Sequence, residues 1–504
     1  MAKTIKILST SDVHGTIFPY RYADLKEMNH GFARLKTLID SLRDENTILI
    51  DNGDTIEGTP FTNYHYNNFP DQVCEVSTVM KMMKYDYVNV GNHDFNYGEE
   101  ALFTHLKETN ALCLTANVLY KGKQLGPDYI IKEFDNKKLA LFALTTQAIP
   151  NWEKPQNIKN FEFLDAFETA KRILDELKGK VDYVVCIYHA GFEYNVETNE
   201  PSEKLTGENQ AYKILKELGG IDAMILGHQH RKEIGETLGA VYTQPAFDGA
   251  FLSCIEINLE TNKIQAQLIP VESAPDQEII NLASEKEKLV QKQLNSPLGY
   301  TPMDLIVHDE YNDRLHKSQL VTLINKAQLA KTKADISGTA IFLAAKGFTG
   351  DITMRDIVTT YFFPNTLVVK KINGKVLKEY LEKCADFWII KDNKIIINPL
   401  YDFPTVQYHN YDMLDGIEYT IKVSNPYGSR IISLTRNNQE IKEDDEFSLV
   451  INNYRSTGGG DFDMLKDLEI IKEYQETTIS VIADYIKEEK TIDFKPINNI
   501  KVII

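Results

Sequence analysis

Along the first half of the chain, short apolar runs rich in β-branched residues alternate with stretches whose apolar residues recur at helical spacing. IKILS at 5–9 precedes a helical pattern over 31–43, and TILI at 47–50 and YVNV at 87–90 precede another over 99–108. LALFAL at 139–144, a helical 165–178, YVVCIY at 183–188 and DAMIL at 222–226 continue the series. Apolar runs too short for helices, spaced by helices, predict a layered α/β domain with buried strands. Strands near 252–258 and 264–271 close it.

From Pro275 to Asn295 the pattern changes to charged residues with apolar ones at Ile279, Leu282, Leu289 and Leu294, which predicts an exposed amphipathic linker helix. Ser296-Pro297-Leu298-Gly299 ends it, because proline and glycine break helices. The rest reads as a second α/β unit, with helical patterns over 318–331 and 374–384, strand-like segments around 417–435, and the run FSLVINNYRSTGGGDF. The expected domains are thus 1–274, a linker over 275–299, and 300–504. A chain of 504 residues agrees with two or three cores, at roughly 100–200 residues each.

Composition narrows the picture in two ways. Lys and Arg number 55 against 73 Asp and Glu, a formal charge of −18, so the chain lacks the basic surplus that displaces counterions from a nucleic-acid polymer. The five cysteines are scattered without a CxxC pair, which predicts neither structural disulfides nor a thiolate zinc site and fits a reducing compartment. With no stretch of 18 apolar residues and no leader-like N-terminus, the expectation is a soluble, cytoplasmic protein that does not engage a membrane, its oligomeric state open.

The chemistry lies where the apolar runs stop. After IKILST comes Ser11-Asp12-Val13-His14-Gly15, and after ILI comes Asp51-Asn52-Gly53-Asp54. YVNV is followed by Gly91-Asn92-His93-Asp94, YVVCIY by His189-Ala190-Gly191, and DAMIL by Gly227-His228-Gln229-His230. In open α/β sheets ligands sit at the carboxyl ends of strands, so five such loops would converge. Each alone could be a capped turn around a satisfied histidine; five together share no such explanation. Imidazole and carboxylate without thiolate suit Mn²⁺, Fe or Zn²⁺. Seven ligands exceed one tetrahedral ion and suit two ions about 3.5–4 Å apart.

These loops resemble the motif set of calcineurin-like metallophosphoesterases, and with the second unit included the likeness is to the bipartite 5′-nucleotidase and 2′,3′-cyclic-nucleotide phosphodiesterase family. The resemblance implies a four-layer α/β/β/α sandwich joined by the linker helix to an α/β nucleotide-specificity domain. It implies one divalent metal ion on Asp12, His14 and His230, another on Asn92, His189 and His228, and Asp54 as the bridge. It implies hydrolysis of a small nucleotide by metal-hydroxide attack on phosphorus, with His93 contacting the transition-state oxygens or protonating the leaving alkoxide. It also implies that Phe363 and Tyr454 clamp the nucleobase, with Asn365 and Asn453 as hydrogen-bonding candidates.

Two departures bear on substrate. Many 5′-nucleotidases carry an aspartate three residues after the catalytic histidine, where this chain has Asn96; an amide orients an imidazole without a full charge, so His93 is expected either to have a less raised pKa from that source or to draw on Asp94 or another carboxylate. The segment in which 5′-nucleotidases show a phosphate-holding arginine reads Ile336-Ser337-Gly338-Thr339-Ala340-Ile341-Phe342, with none. Both favour the cyclic-phosphodiesterase/3′-nucleotidase branch. The alternatives are a 5′-nucleotidase or nucleotide-sugar hydrolase, a sulfur-ester hydrolase, and a non-catalytic nucleotide-binding protein.

Overall fold

The computed structural model describes residues 4–202, 205–361, 363, 365–402 and 405–504. Its contacts divide the chain into two compact units, meeting between Val290 and Gln291.

The first unit contains two six-stranded sheets. One has the strand order Ile264–Pro270, Phe251–Asn258, Thr4–Thr10, Thr47–Asp51, Tyr87–Val88, Leu112–Cys113; the last four run parallel and the first two are antiparallel additions. The other has the order Lys232–Thr237, Ala240–Pro245, Ala223–Leu226, Tyr183–His189, Lys137–Thr145, Ile130–Phe134. Alternation along the strands sets the layers. Ile5, Ile7, Ile48 and Ile50 from the first sheet share one core with Leu139, Leu141, Val185 and Ile187 from the second, so the sheets pack face to face. The intervening residues Val184, Cys186 and Tyr188 instead pack with the helices Ala166–Leu177 and Ala211–Leu218. Parallel strands covered on both faces explain why these runs are continuously apolar.

Three local expectations change. The strand read over 87–90 stops at Val88, because the Asn89 side chain turns into the interior and donates to Asn52 Oδ1 (3.0 Å) and the Leu144 carbonyl (2.6 Å). The helix expected to lie exposed, Gln277–Leu294, is packed down along one side: Ile279, Ala283 and Val290 are buried, while Leu282 and Leu289 face solvent. Tyr20 and Tyr22 donate to Glu287 of this helix, and Lys286 donates to Glu75 (2.6 Å). The segment expected only to break the helix forms a strand at once, Pro297–Thr301, with proline in the first position, where its missing N–H costs little.

The second unit is built on a five-stranded sheet of order Met413–Asp415, Ile336–Thr339, Glu446–Asn452, Thr366–Asn373, Ile470–Thr477. The helices Gln319–Thr332, Gly374–Ala385 and Thr478–Glu489 contribute to one shared core. A four-stranded sheet, Gln439–Glu440, Ile431–Arg436, Glu418–Lys422 and Ile500–Ile503, completes it.

Candidate functional site

The five strand-end loops converge. Asp12, His14 and His230 place one ligand atom each within 4.8 Å of one another, and Asp54, His189 and His228 do the same. Asn92 joins the second group, its Oδ1 being 3.3 Å from His189 Nε2. Asp12, His14, Asp54, His228 and His230 all have φ between 53° and 68°, a left-handed conformation unusual for such residues and concentrated at functional sites. The loops also touch: a methyl group on Gly91 would lie 2.2 Å from Asp54 Oδ1 and 2.7 Å from His189 Cε1, so only glycine fits.

The ligand atoms are aimed rather than merely near. His14 Nδ1 donates to the Glu57 carbonyl (2.8 Å) and His189 Nδ1 to the Asn52 carbonyl (2.7 Å), which leaves a lone pair on each Nε2. His228 has its Nε2 on Glu208 Oε1 (2.9 Å), which leaves its Nδ1 free to ligate. His14 Nε2 lies 3.0 Å from His230 Nε2, a spacing at which two lone pairs repel unless a proton or cation lies between them. Asp54 Oδ2 is buried without a hydrogen bond of acceptable geometry, although it is 3.2 Å from His189 Nε2. An orphaned buried carboxylate oxygen among imidazole lone pairs fits divalent cations. Burial would raise the Asp54 carboxyl, but His189 and His93 outweigh it and hold it well below the usual range.

His93 is next to this cluster. Its backbone N–H donates to Asp54 Oδ1 (2.6 Å), and its ring is 5.5 Å from that of His14, centroid to centroid. Its Nδ1 is 2.7 Å from Asn96 Oδ1 and 3.2 Å from Glu57 Oε2. Asp94, one of the carboxylates considered for this role, does not supply it: it accepts the backbone N–H groups of Gly91, Asp54, Thr55 and Ile56, clamping two of the loops together. The neighbouring carboxylate is Glu57. Burial opposes a charge on His93, but Asp54, Glu57 and the Asn96 carbonyl outweigh it and hold the ring's pKa at about 9. Burial also pushes the Glu57 carboxyl up, while His93 pulls it back.

Sequence reasoning missed the supporting residues. Besides Glu57 and Glu208, Trp152 stacks on His228 at 5.6 Å and Phe247 on His230 at 5.0 Å. Only Glu57 carried a signal, as an acid three residues beyond Asp54 in the same loop.

In the second unit, Phe363 is 44% exposed and meets Phe342 edge to face at 4.9 Å, so it is not a core aromatic; Phe362 and Pro364 of the same motif lie outside the described residues. Tyr454 is half-buried on the short helix Asn453–Ser456. The space beside Gly459 is taken by the Tyr454 ring, since a methyl there would lie 2.6 Å from the ring's Cζ. Asn453 Oδ1 accepts the Thr366 N–H (2.9 Å) and the Asn365 carbonyl accepts the Thr478 N–H (2.7 Å), so both asparagines tie loops together. In the arginine-free segment, the carbonyls of Ile341 and Phe342 accept from Arg314 (2.8 and 2.9 Å), whose guanidinium is buried and stacks on Tyr408.

Two family profiles match: calcineurin-like phosphoesterase over residues 5–232, and the 5′-nucleotidase C-terminal domain over 298–467. The chain belongs to the calcineurin-like metallophosphoesterases of the 5′-nucleotidase type. Members use divalent metals, and the chain is a phosphoester hydrolase. A 2′,3′-cyclic-nucleotide 2′-phosphodiesterase/3′-nucleotidase of Haemophilus influenzae is 27% identical, covering 96% of this chain and 84% of the relative. The trifunctional nucleotide phosphoesterase protein YfkN of Bacillus subtilis is 26% identical over 98% of this chain, which spans 38% of that protein's length. A Staphylococcus aureus protein provisionally named a 5′-nucleotidase, solved with α-ketoglutarate, is 29% identical with a TM-score of 0.93, covering all of both chains. Among the described residues, no helix of this metallophosphoesterase is long and apolar enough to cross a membrane.

Proposed function

We propose that this enzyme hydrolyses 2′,3′-cyclic nucleotides and 3′-nucleotides. The observation that carries the hydrolytic reading is the pair of adjacent ligand groups, with His189 Nε2 of one 4.0 Å from Asp12 Oδ1 of the other and His93 donating its backbone N–H to Asp54. Asp12, His14 and His230 would hold one divalent ion, and Asn92, His189 and His228 another, with Asp54 between them. Two such cations, from among Mn²⁺, Fe and Zn²⁺, would activate a water and neutralise charge on the phosphoryl oxygens.

The chain's own part is positional and protic. With Nδ1 of His93 held by Asn96 beside the Glu57 carboxylate, the remaining ring nitrogen is the one available to give a proton to the leaving oxygen. Phe363 and Tyr454 would stack the base, a mode that tolerates base identity. The preference for cyclic and 3′ substrates is supported by Asn96, by the arginine-free segment, where the Arg314 guanidinium is committed to backbone carbonyls, and by the name of the Haemophilus relative.

Side-by-side rates on 2′,3′-cyclic AMP, 3′-AMP and 5′-AMP with each metal test this. The first two should be faster; a 5′-AMP rate above both would make the enzyme a 5′-nucleotidase. His93→Ala should keep its metal and lose about 10²-fold or more in kcat. Full activity in that variant would remove His93 from the chemistry.

A further inference from the structure

The structure places a buried carboxylate beside the nitrogen that the asparagine already serves. Asn96 donates through Nδ2 to Glu153 Oε2 (2.5 Å), whose partner oxygen accepts from the Lys154 N–H and Asn157 Nδ2 (2.7 and 2.8 Å). A carboxylate so placed can only accept, so the Asn96 amide is fixed with Oδ1 toward His93. Glu57 approaches the same Nδ1 at 3.2 Å, only 7% exposed, on a loop pinned by its own carbonyl's bond from His14. An amide oxygen as the hydrogen-bond partner of Nδ1 requires that nitrogen to carry its proton, and the carboxylate beside it favours the same state.

We infer that Glu57 is the positioning carboxylate of His93: Asn96 holds the Nδ1–H tautomer, and Glu57, in ion-pair contact with the same ring, supplies the full negative charge that the asparagine cannot. Asn96 sets the angle of the ring, and Glu57 compensates its positive charge while the proton is being delivered. In the step itself the His93 Nε2–H bond breaks, an O–H bond forms on the departing oxygen, and that oxygen keeps the electron pair of the broken P–O bond. The ring is left neutral with Nδ1–H in place, and Glu57 is a carboxylate before and after. This rests on the phosphoesterase reading above.

The charge is isolated by Glu57→Gln, which keeps an acceptor oxygen and the backbone carbonyl that His14 uses. A p-nitrophenyl phosphate ester leaves without needing a proton, so it separates help to the leaving group from everything else the loop does. With a nucleotide substrate E57Q should lose about tenfold in kcat, with KM and metal content unchanged, and with the p-nitrophenyl ester less than about twofold. In a His93→Ala background, E57Q should cost nothing further, since its effect runs through that ring. Equal losses on both esters, a loss that persists without His93, or a fall in bound metal would each overturn the inference and make Glu57 a support of the metal loops. An inactive wild type would sink the phosphoesterase reading itself; an active wild type with an unaffected E57Q would sink only the role of Glu57.

Discussion

In the metal centre, five of the seven candidate ligands sit at positive φ, the aspartates are buried, and three of the histidines are held by a second bond from the opposite ring nitrogen. Around Tyr454 the backbone is an ordinary helical turn, the ring is half-buried against Gly459, and Phe363 is nearly half-exposed. Strained, buried groups persist only where the surroundings force them, and the first site is forced from five loops. The second, as proposed, needs only two aromatic rings able to stack on a base. Substitutions in the first should therefore abolish chemistry, and substitutions in the second should tune affinity.

The sharpest test of that contrast is Asp54→Asn. It keeps the size and the backbone contacts but removes the charge of the carboxylate proposed as the bridge, a member of the His189 and His228 group, and the Oδ2 that has no hydrogen bond. Activity should fall on the order of 10³-fold, with loss of bound metal by elemental analysis. Normal metal content with normal turnover would mean that the loops are held together for another reason. A smaller effect is expected one step out. Glu208→Ala removes the partner of His228 Nε2 and frees the ring to turn, so metal affinity should weaken by about 10- to 100-fold with the fold intact. An unchanged affinity would show that the stacking of Trp152 suffices to aim the ring.

The same contrast explains what could be read from the sequence. The layered α/β class follows from the alternation of runs, and the chelating residues stand out because Asp and His directly after an apolar strand have no packing purpose. Glu57, Glu153 and Glu208 do not stand out, because their roles depend on non-periodic loops that bring Glu57 against His93, Glu153 against Asn96 and Glu208 against His228. Residue type also misleads where polarity has a local use. Asn453 reads as a base contact yet accepts the Thr366 N–H, and Asn452 beside it caps the short helix by accepting from Arg455 N (2.7 Å). The many charges of the Gln277–Leu294 helix predicted an exposed linker, whereas its packed seam is set by Ile279, Ala283 and Val290.

The smallest effect sits at Gly459. An added methyl would lie 2.6–2.7 Å from three atoms of the Tyr454 ring, which is too close, and the rigid ring must swing as a whole to escape. Stacking on an aromatic ring contributes about 1–3 kcal/mol per base, so Tyr454→Ala should raise KM for nucleotides roughly 5- to 150-fold and leave kcat and metal content alone. Gly459→Ala, which displaces the ring without removing it, should raise KM by a smaller factor of about 3–10. In a Tyr454→Ala background it should add nothing to KM, because there is no ring left to move. A Gly459→Ala effect that survives there would place the sensitivity in the glycine-rich backbone itself, and the second site would then be as tightly built as the first.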